Sequence, residues 1–233
     1  MNKKYILLLL ILILRYTATL AQLFNRPDSV SVWSAFSIGT GFYSGTTFLV
    51  PTKPVTYQNI GGYHNGALIR LQANITQSWH VSTELRYTAA STSLAFNDQF
   101  LPYYFLIERS GFEQIGSIEK LFFNQYSKPI VKIIAGAGYG LHQYTTYADA
   151  ELKAALTSLT QKVVDNKQFT NILLHAGIHK TFQLSPSFNL TLFTEAATML
   201  HKRTLADLSQ VGFWRPATFR ESSVKLGVFL VYQ

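Results

Sequence analysis

The sequence predicts an all-β fold: an eight-stranded antiparallel up-and-down transmembrane β-barrel with short periplasmic turns and long outer loops. Three observations predict it. Apolar residues alternate with small or polar ones over long stretches, the period of a strand with two unlike faces. The connections between these stretches are by turns long and short. Charge is scarce: Asp, Glu, Lys and Arg make up 14% of the 233 residues, against about 25% in an average globular chain. Aromatic residues account for another 14%.

The chain opens on the three-part pattern of a secretory signal. Asn2-Lys3-Lys4 is basic, Tyr5 to Leu14 is apolar, and Thr19-Leu20-Ala21 puts small residues at −3 and −1. Residues 1–21 are therefore expected to be a signal peptide cleaved before Gln22, although Arg15 is unusual inside one. The apolar run falls short of the ~20 residues of a spanning helix. Residues 22–29 read as a periplasmic linker and residues 30–233 as the barrel. Loss of the leader removes Lys3, Lys4 and Arg15 and no acid, so the formal charge drops from +8 to +5. No element carries the basic stripe that nucleic-acid binding requires. The chain has no cysteine, which excludes disulfides, thiolate metal sites and a cysteine nucleophile.

The first alternating stretch runs from Val30 to Tyr43, with Val30, Val32, Phe36, Ile38 and Phe42 on one face and Trp33, Ser37, Gly39 and Gly41 on the other. The second, Gly61 to Thr76, sets Tyr63, Ala67, Ile69, Leu71 and Ala73 against His64, Gly66, Arg70, Gln72 and Asn74. After Gln77-Ser78-Trp79 the pattern resumes with Val81, Leu85 and Tyr87 against Ser82, Glu84 and Arg86. A long connection, Ser91 to Ser110, leads to strands at Gly111 to Phe123 and Ile130 to Tyr144. In the second of these, Gly136, Gly138 and Gly140 empty one face of side chains. A further long connection, Thr145 to Thr170, precedes Asn171 to Phe182 and Phe188 to Leu200, and a fourth precedes Ser222 to Gln233. Long after odd strands and short after even ones is the rhythm of an outer-membrane barrel.

Twelve residues at about 3.3 Å each, tilted about 45°, span roughly 28 Å, enough for a ~25 Å apolar band. The polar faces are mostly Gly, Ser, Thr, Asn and Gln, too small and neutral for a solvated exterior but suited to a narrow lumen. Trp79, Phe123, Phe182, Phe188 and Tyr232 gather at the short-turn ends, as aromatic belts do at a membrane interface. The expected address is the cell outer membrane.

The segment Phe112-Glu113-Gln114-Ile115-Gly116-Ser117-Ile118-Glu119-Lys120-Leu121-Phe122-Phe123, with Lys128-Pro129 and then Ala135-Gly136-Ala137-Gly138-Tyr139-Gly140, resembles the central hairpin of the PorT-like outer-membrane β-barrel family of Bacteroidota. There an aromatic-Leu-Glu-Ile-Pro-Leu-Leu-Leu-Lys-aromatic strand precedes a Lys-Pro strand ending in Ala-Gly-x-x-x-Gly. Here Gly116 stands in place of Pro, and Ser117 and Glu119 in place of apolar residues. The resemblance implies a barrel and an outer-membrane location, with a part in protein secretion for some members. On the face expected to meet lipid this strand carries Glu113, Ser117 and Glu119. Two readings stand: a bulge or register shift turns Glu119 inward, or this face is a candidate partner-facing strand.

The inward faces collect a candidate lumen polar network: Arg70, Gln72, Glu84, Arg86, Lys132, His175, Glu195 and Lys225. Pairing Phe182 with Phe188 sets His175 opposite Glu195, half of a catalytic triad or a buried plug. Pairing Ile75 with Val81 sets Gln72 opposite Glu84 and Arg70 opposite Arg86. His175 and His179 on one strand face lie about 13 Å apart, too far for one metal, and no cofactor is expected. Residues 149–164 carry Leu152, Leu156, Leu159 and Val163 at helical spacing, either a short helix or loop packing. Lys202, Arg203, Phe213, Trp214, Arg215 and Arg220 are candidate loop-recognition residues, suited to lipopolysaccharide phosphates or simply to solvent. The expected function is non-enzymatic: a structural, secretion-associated or binding component whose partners are outer-membrane lipid, lipopolysaccharide and another outer-membrane or periplasmic protein. The alternative is a membrane-embedded enzyme acting on lipid A or phospholipid.

Overall fold

A computed structural model describes residues 36–51, 57–97, 102–126, 129–148, 163–204 and 218–232. The expected leader and linker, the first residues of the first predicted strand, Phe213, Trp214 and Arg215 lie outside them. Eight long strands form the wall: β1 (Phe36–Pro51), β2 (Tyr57–Asn74), β3 (Trp79–Asn97), β4 (Pro102–Phe123), β5 (Pro129–Ala148), β6 (Val163–Gln183), β7 (Phe188–Met199) and β9 (Thr218–Tyr232). The two-residue β8 (Arg203–Thr204) pairs with the start of β9. Each strand is hydrogen-bonded antiparallel to its neighbour, and β1 pairs with β9 from Ile38↔Tyr232 to Pro51↔Phe219, so the sheet closes on itself. Closure leaves no edge strand unpaired. The described residues contain no helix.

Seven of the strands, all but β7, are longer than the alternation suggested. Ser91 to Ser110, expected as a connection, is mostly strand: β3 and β4 stay paired out to Asn97↔Pro102. Likewise β5 and β6 stay paired to Tyr147↔Val163, which puts Val163 in a strand; Leu152, Leu156 and Leu159 of the 149–164 stretch lie outside the described residues. Period-two alternation is absent from these stretches: Tyr103 to Ile107 is a continuous apolar run and Asp165 to Gln168 a continuous polar one.

Two of the short turns share one construction. In Ile75-Thr76-Gln77-Ser78-Trp79, the amides of Ile75 and Thr76 donate to the Trp79 carbonyl at 2.9 and 3.0 Å, and the Trp79 amide donates to Thr76 Oγ1 at 3.0 Å. In Leu184-Ser185-Pro186-Ser187-Phe188, the amides of Leu184 and Ser185 donate to the Phe188 carbonyl, and the Phe188 amide donates to Ser185 Oγ at 3.1 Å. The hydroxyl serves the backbone in place of a ladder partner, and the aromatic that ends each turn starts the next strand.

The faces are clean. Large apolar side chains point outward, among them Phe42, Ile69, Ile118, Ile133, Ile178 and Leu226, while most strand charges point inward, with Glu108, Lys120, Lys180 and Arg220 among those that do not. This is the inverse of a soluble barrel. The rim aromatics Trp79, Phe123, Phe182, Phe188 and Tyr232 are all 40–54% exposed. On β6 the outward apolar face is bounded by Ile172 and Phe182, and on β4 by Phe112 and Phe122. Ten residues at ~3.3 Å, tilted ~45°, rise ~23 Å, close to the ~25 Å apolar band of membrane barrels.

Glycine makes room for the interior. Tyr43 lies across from Gly66, Phe229 from Gly41 and Lys225 from Gly45, Phe193 from Gly227, and Ile115 from Gly138. A Cβ on Gly66 would lie 2.3 Å from Tyr43 Cζ, and one on Gly227 2.3 Å from Phe193 Cζ. Each of these side chains thus folds over a bare patch of the facing strand, the large-on-small filling a narrow barrel needs.

Gly227→Leu is expected to lower the urea midpoint by the equivalent of about 1–3 kcal/mol, the cost of overpacking. Gly116→Leu, whose Cβ would have nothing nearer than the Ala137 carbonyl oxygen at 4.0 Å, is expected to leave it unchanged. Heat-modifiable gel mobility across a urea series reads both.

Candidate functional site in the barrel lumen

The ladders place the inward charges. β2 and β3 pair as Asn74↔His80, not Ile75 with Val81, and β6 and β7 as Gln183↔Asn189, not Phe182 with Phe188. Both turns keep the expected length but sit one residue away. The ladder slides by two, which preserves the faces and changes the partners. Arg70 therefore stands opposite Glu84 instead of Arg86. Glu195 stands opposite Gly177, with His175 and His179 to either side, instead of opposite His175.

Near the turn end, a chain of ion pairs crosses the lumen. Arg70 bridges Glu84 on β3 and Glu119 on β4. Glu84 also accepts from Arg86 Nε at 2.7 Å, and Arg86 Nη2 reaches Glu195 on β7 at 2.7 Å. Glu195 Oε1 takes His179 Nε2 at 3.0 Å. Lys132 lies 3.5 Å from Glu119 and donates to Gln72 Oε1 at 2.8 Å, and Gln72 Nε2 meets His80 Nδ1 at 2.9 Å.

Towards the outer end, Glu113 gathers Lys225 at 3.7 Å, Arg109 at 3.2 Å and His142 at 3.1 Å. Arg109 Nε meets Glu221 at 2.8 Å, and Glu221 accepts from Thr47 Oγ1 at 3.1 Å and from the Tyr144 hydroxyl at 3.0 Å. Every wall strand contributes. The lumen charges balance: Arg70, Arg86, Arg109, Lys132 and Lys225 face Glu84, Glu113, Glu119, Glu195 and Glu221. Aromatic faces fill the rest, with Arg70 over Phe229 at 5.2 Å and Lys225 over Tyr43 at 5.1 Å. Buried ions need such pairing because desolvation of each costs several kcal/mol.

Glu113, Ser117 and Glu119 correct the partner-facing expectation. They point into the lumen, at 1%, 5% and 0% exposure, and the outward face of β4 is the even-numbered set. A bulge is present on this hairpin: Phe123 pairs with Pro129 but Phe122 with Val131, leaving Ile130 over. It breaks the alternation at the turn end, so Phe122 and Phe123 are both exposed. Ile115, which made the odd face look lipid-facing, is an interior residue lying over Gly138.

Arg109, Glu221, His64, His142 and Tyr144 were missed. Arg109 and Glu221 fall in stretches expected as connections, and His64 stands on a polar face with no partner assigned to it. The signal for them was the glycine pattern: a strand with glycine at every second position requires large side chains on its neighbours. Lys202 and Arg220 are exposed, and neither joins the lumen network.

One contact set has chemical interest. Ser117 Oγ lies 2.9 Å from His175 Nε2, and His175 Nδ1 lies 3.6 Å from Glu195 Oε2. The order hydroxyl, imidazole, carboxylate is that of a nucleophilic relay. Here the hydroxyl is 5% exposed, and a Cβ on neighbouring Gly136 would lie 2.4 Å from His175 Nε2, so the imidazole is packed against the β5 backbone.

No protein-family model matches the chain, and no curated protein does. Among solved structures, Ail of Yersinia pestis in complex with the heparin analogue sucrose octasulfate is 14% identical, with 84% of this chain and 97% of that one covered and a TM-score of 0.41. OprG of Pseudomonas aeruginosa is 9% identical over 84% and 94%, with a TM-score of 0.44. A major outer membrane protein of Thermus thermophilus is 12% identical over 84% and 98%, with a TM-score of 0.41. Similarity at this level transfers no role to this chain.

Glu195→Gln takes from Arg86 and His179 their shared carboxylate and is expected to cost about 3–5 kcal/mol. Arg220→Gln, on an exposed side chain, is expected to stay within about 0.5 kcal/mol. Urea titrations of the two variants in the same lipid make the comparison.

Proposed function

We propose that this protein is a sealed, non-enzymatic outer-membrane barrel that acts through the part of its wall standing outside the membrane. One observation carries the reading. β3, β4, β5 and β6 continue well past the apolar band, and β4 runs ten residues beyond Phe112 to Pro102, another ~23 Å at the same tilt. The outward face of this extension is mostly polar, with Glu108 and Ser110 on β4, Gln143 and Thr145 on β5, and Asn166, Gln168 and Thr170 on β6, and with the paired Leu106 and Tyr147 among them. Gln143 Nε2 donates to Asn166 Oδ1 across it at 3.2 Å. β7 stops at Met199, near the upper edge of the band, so the barrel carries a raised polar half-wall on one side. Such a surface suits a structural, binding or secretion-associated component. Its partner would be lipopolysaccharide or another outer-membrane protein, with the exposed Lys202 and Arg220 available to phosphates. The PorT-like hairpin and the signal-like leader are in keeping with this address.

The balanced lumen network supports the sealed character. Arg70, Gln72, Glu84, Arg86, Lys132, His175, Glu195 and Lys225 are, on this reading, a structural plug. A lipid-modifying enzyme is the second reading, favoured only by the Ser117, His175 and Glu195 order. A fluorophosphonate probe that labelled Ser117 in the folded barrel would support it; no labelling is expected.

The chain has no cysteine, so single introduced thiols report topology directly. Gln168→Cys is expected to react with a membrane-impermeant maleimide on intact cells, and Gln125→Cys only after lysis. The opposite pattern would invert the orientation and remove the half-wall from the cell exterior. Planar bilayers containing the protein are expected to show no steady conductance, and a stable open level would reject the sealed lumen.

A further inference from the structure

The outer wall is short of lipid-facing bulk across β2 to β5. On β2 to β5 the outward positions Ala73, Thr83, Gly116 and Ala137 are small, and Ile118 and Tyr139 stand up beside them, leaving a recess of about 970 Å³. Small-molecule sites occupy roughly 300–1,000 Å³. Gly116 lies at its centre, paired with Thr83 on one side and Ala137 on the other.

A cation stands at its foot. The pairs Thr83↔Gly116, Val81↔Ile118 and Trp79↔Lys120 form one column running toward the turn end, so Lys120 lies about 13 Å along β4 from Gly116. Lys120 Nζ sits 4.5 Å from the Trp79 ring centroid and 3.4 Å from Ser78 Oγ. Among the described residues no carboxylate pairs with it. Trp79 belongs to the rim of exposed aromatics, so this ammonium is held at the depth of lipid headgroups. Lys180 offers the contrast. It reaches over Phe182 on the same rim at 5.9 Å, and the wall beyond it carries Ile178, the small Ala176 and then Leu174, with bulk on both sides of the one small position.

We propose that the Lys120 and Trp79 column is a binding site for one glycerophospholipid of the turn-side leaflet. Its phosphate meets the Lys120 ammonium beside the Trp79 ring, and one acyl chain lies in the recess over Gly116. In hydrocarbon any recess fills with lipid; the cation at its open end selects which molecule fills it. The inference rests on the membrane placement above but not on the sealed lumen: a conducting lumen would leave lipid retention as it is, and loss of retention would leave conductance as it is.

Native mass spectrometry of the full barrel in detergent, titrated with phosphatidylglycerol, tests it. Wild type is expected to retain one lipid per barrel. Lys120→Gln is expected to retain it about fivefold less tightly, the effect of one lysine near an anionic headgroup. Gly116→Leu and Ala137→Leu, which fill the recess from opposite strands, are expected to weaken retention at least as much, with heat-modifiable mobility confirming that each is folded. Lys180→Gln is expected to match wild type. Equal retention across all variants would overturn the proposal. So would displacement of the lipid by inorganic phosphate with the recess variants unaffected, which would mean a headgroup contact alone, or Lys120-dependent preference for lipopolysaccharide, which would place the site in the other leaflet.

Discussion

Everything in this fold depends on where ten buried charges go. A narrow barrel with a hydrocarbon-facing exterior has one refuge for ionised side chains, its lumen, and that lumen has no bulk water to solvate them. Each carboxylate is therefore shared between at least two donors, as Glu84 is between Arg70 and Arg86 and Glu113 among Lys225, Arg109 and His142. Sharing ties each carboxylate to more than one strand, although Arg86–Glu84 and Arg109–Glu113 are pairs within β3 and β4. The network consequently specifies which strand sits where, even though replacing buried ion pairs by apolar groups is often neutral or favourable to stability.

Space limits this arrangement as much as charge does. Arginine, lysine and tyrosine cannot all project into a small lumen unless the wall opposite is bare, and the glycines supply those bare positions in register with the large groups. The outward faces are free of this demand except around Gly116, which has no large neighbour to accommodate. The two kinds of glycine differ in what surrounds them, and only the interior kind belongs to the packing.

Much of the barrel was legible in the sequence because period-two alternation, turn length and face composition are local properties. The inward positions of Arg70, Arg86, Glu195 and Lys225 follow from phase alone. What was not legible depends on single-residue details. A turn displaced by one residue left the faces of β6 and β7 correct but gave Glu195 the wrong opposite number. The bulge at Ile130 and the interior Ile115 disguised the phase of β4, so Glu113 and Glu119 looked lipid-facing. Strand ends above the membrane were read as loops because their sequences do not alternate: Tyr103 to Ile107 is apolar throughout and Asp165 to Gln168 polar throughout, so neither offers a hydropathy contrast to detect.

The seam between the first and last strands combines these features. β1 brings Gly39, Gly41 and Gly45 to the ladder with β9, and β9 brings Phe229 and Lys225 to lie across from Gly41 and Gly45. A Cβ on Gly45 would lie 2.8 Å from the Lys225 Cα, so the two strands fit only where bare backbone meets bulk. A ring joined two residues out of step would keep its greasy and polar faces, yet Phe229 would meet Tyr43 or Gly39 and Lys225 would meet Thr47 or Tyr43. The last joint of the cylinder thus carries its own proofreading, independent of any machinery that brings the ends together.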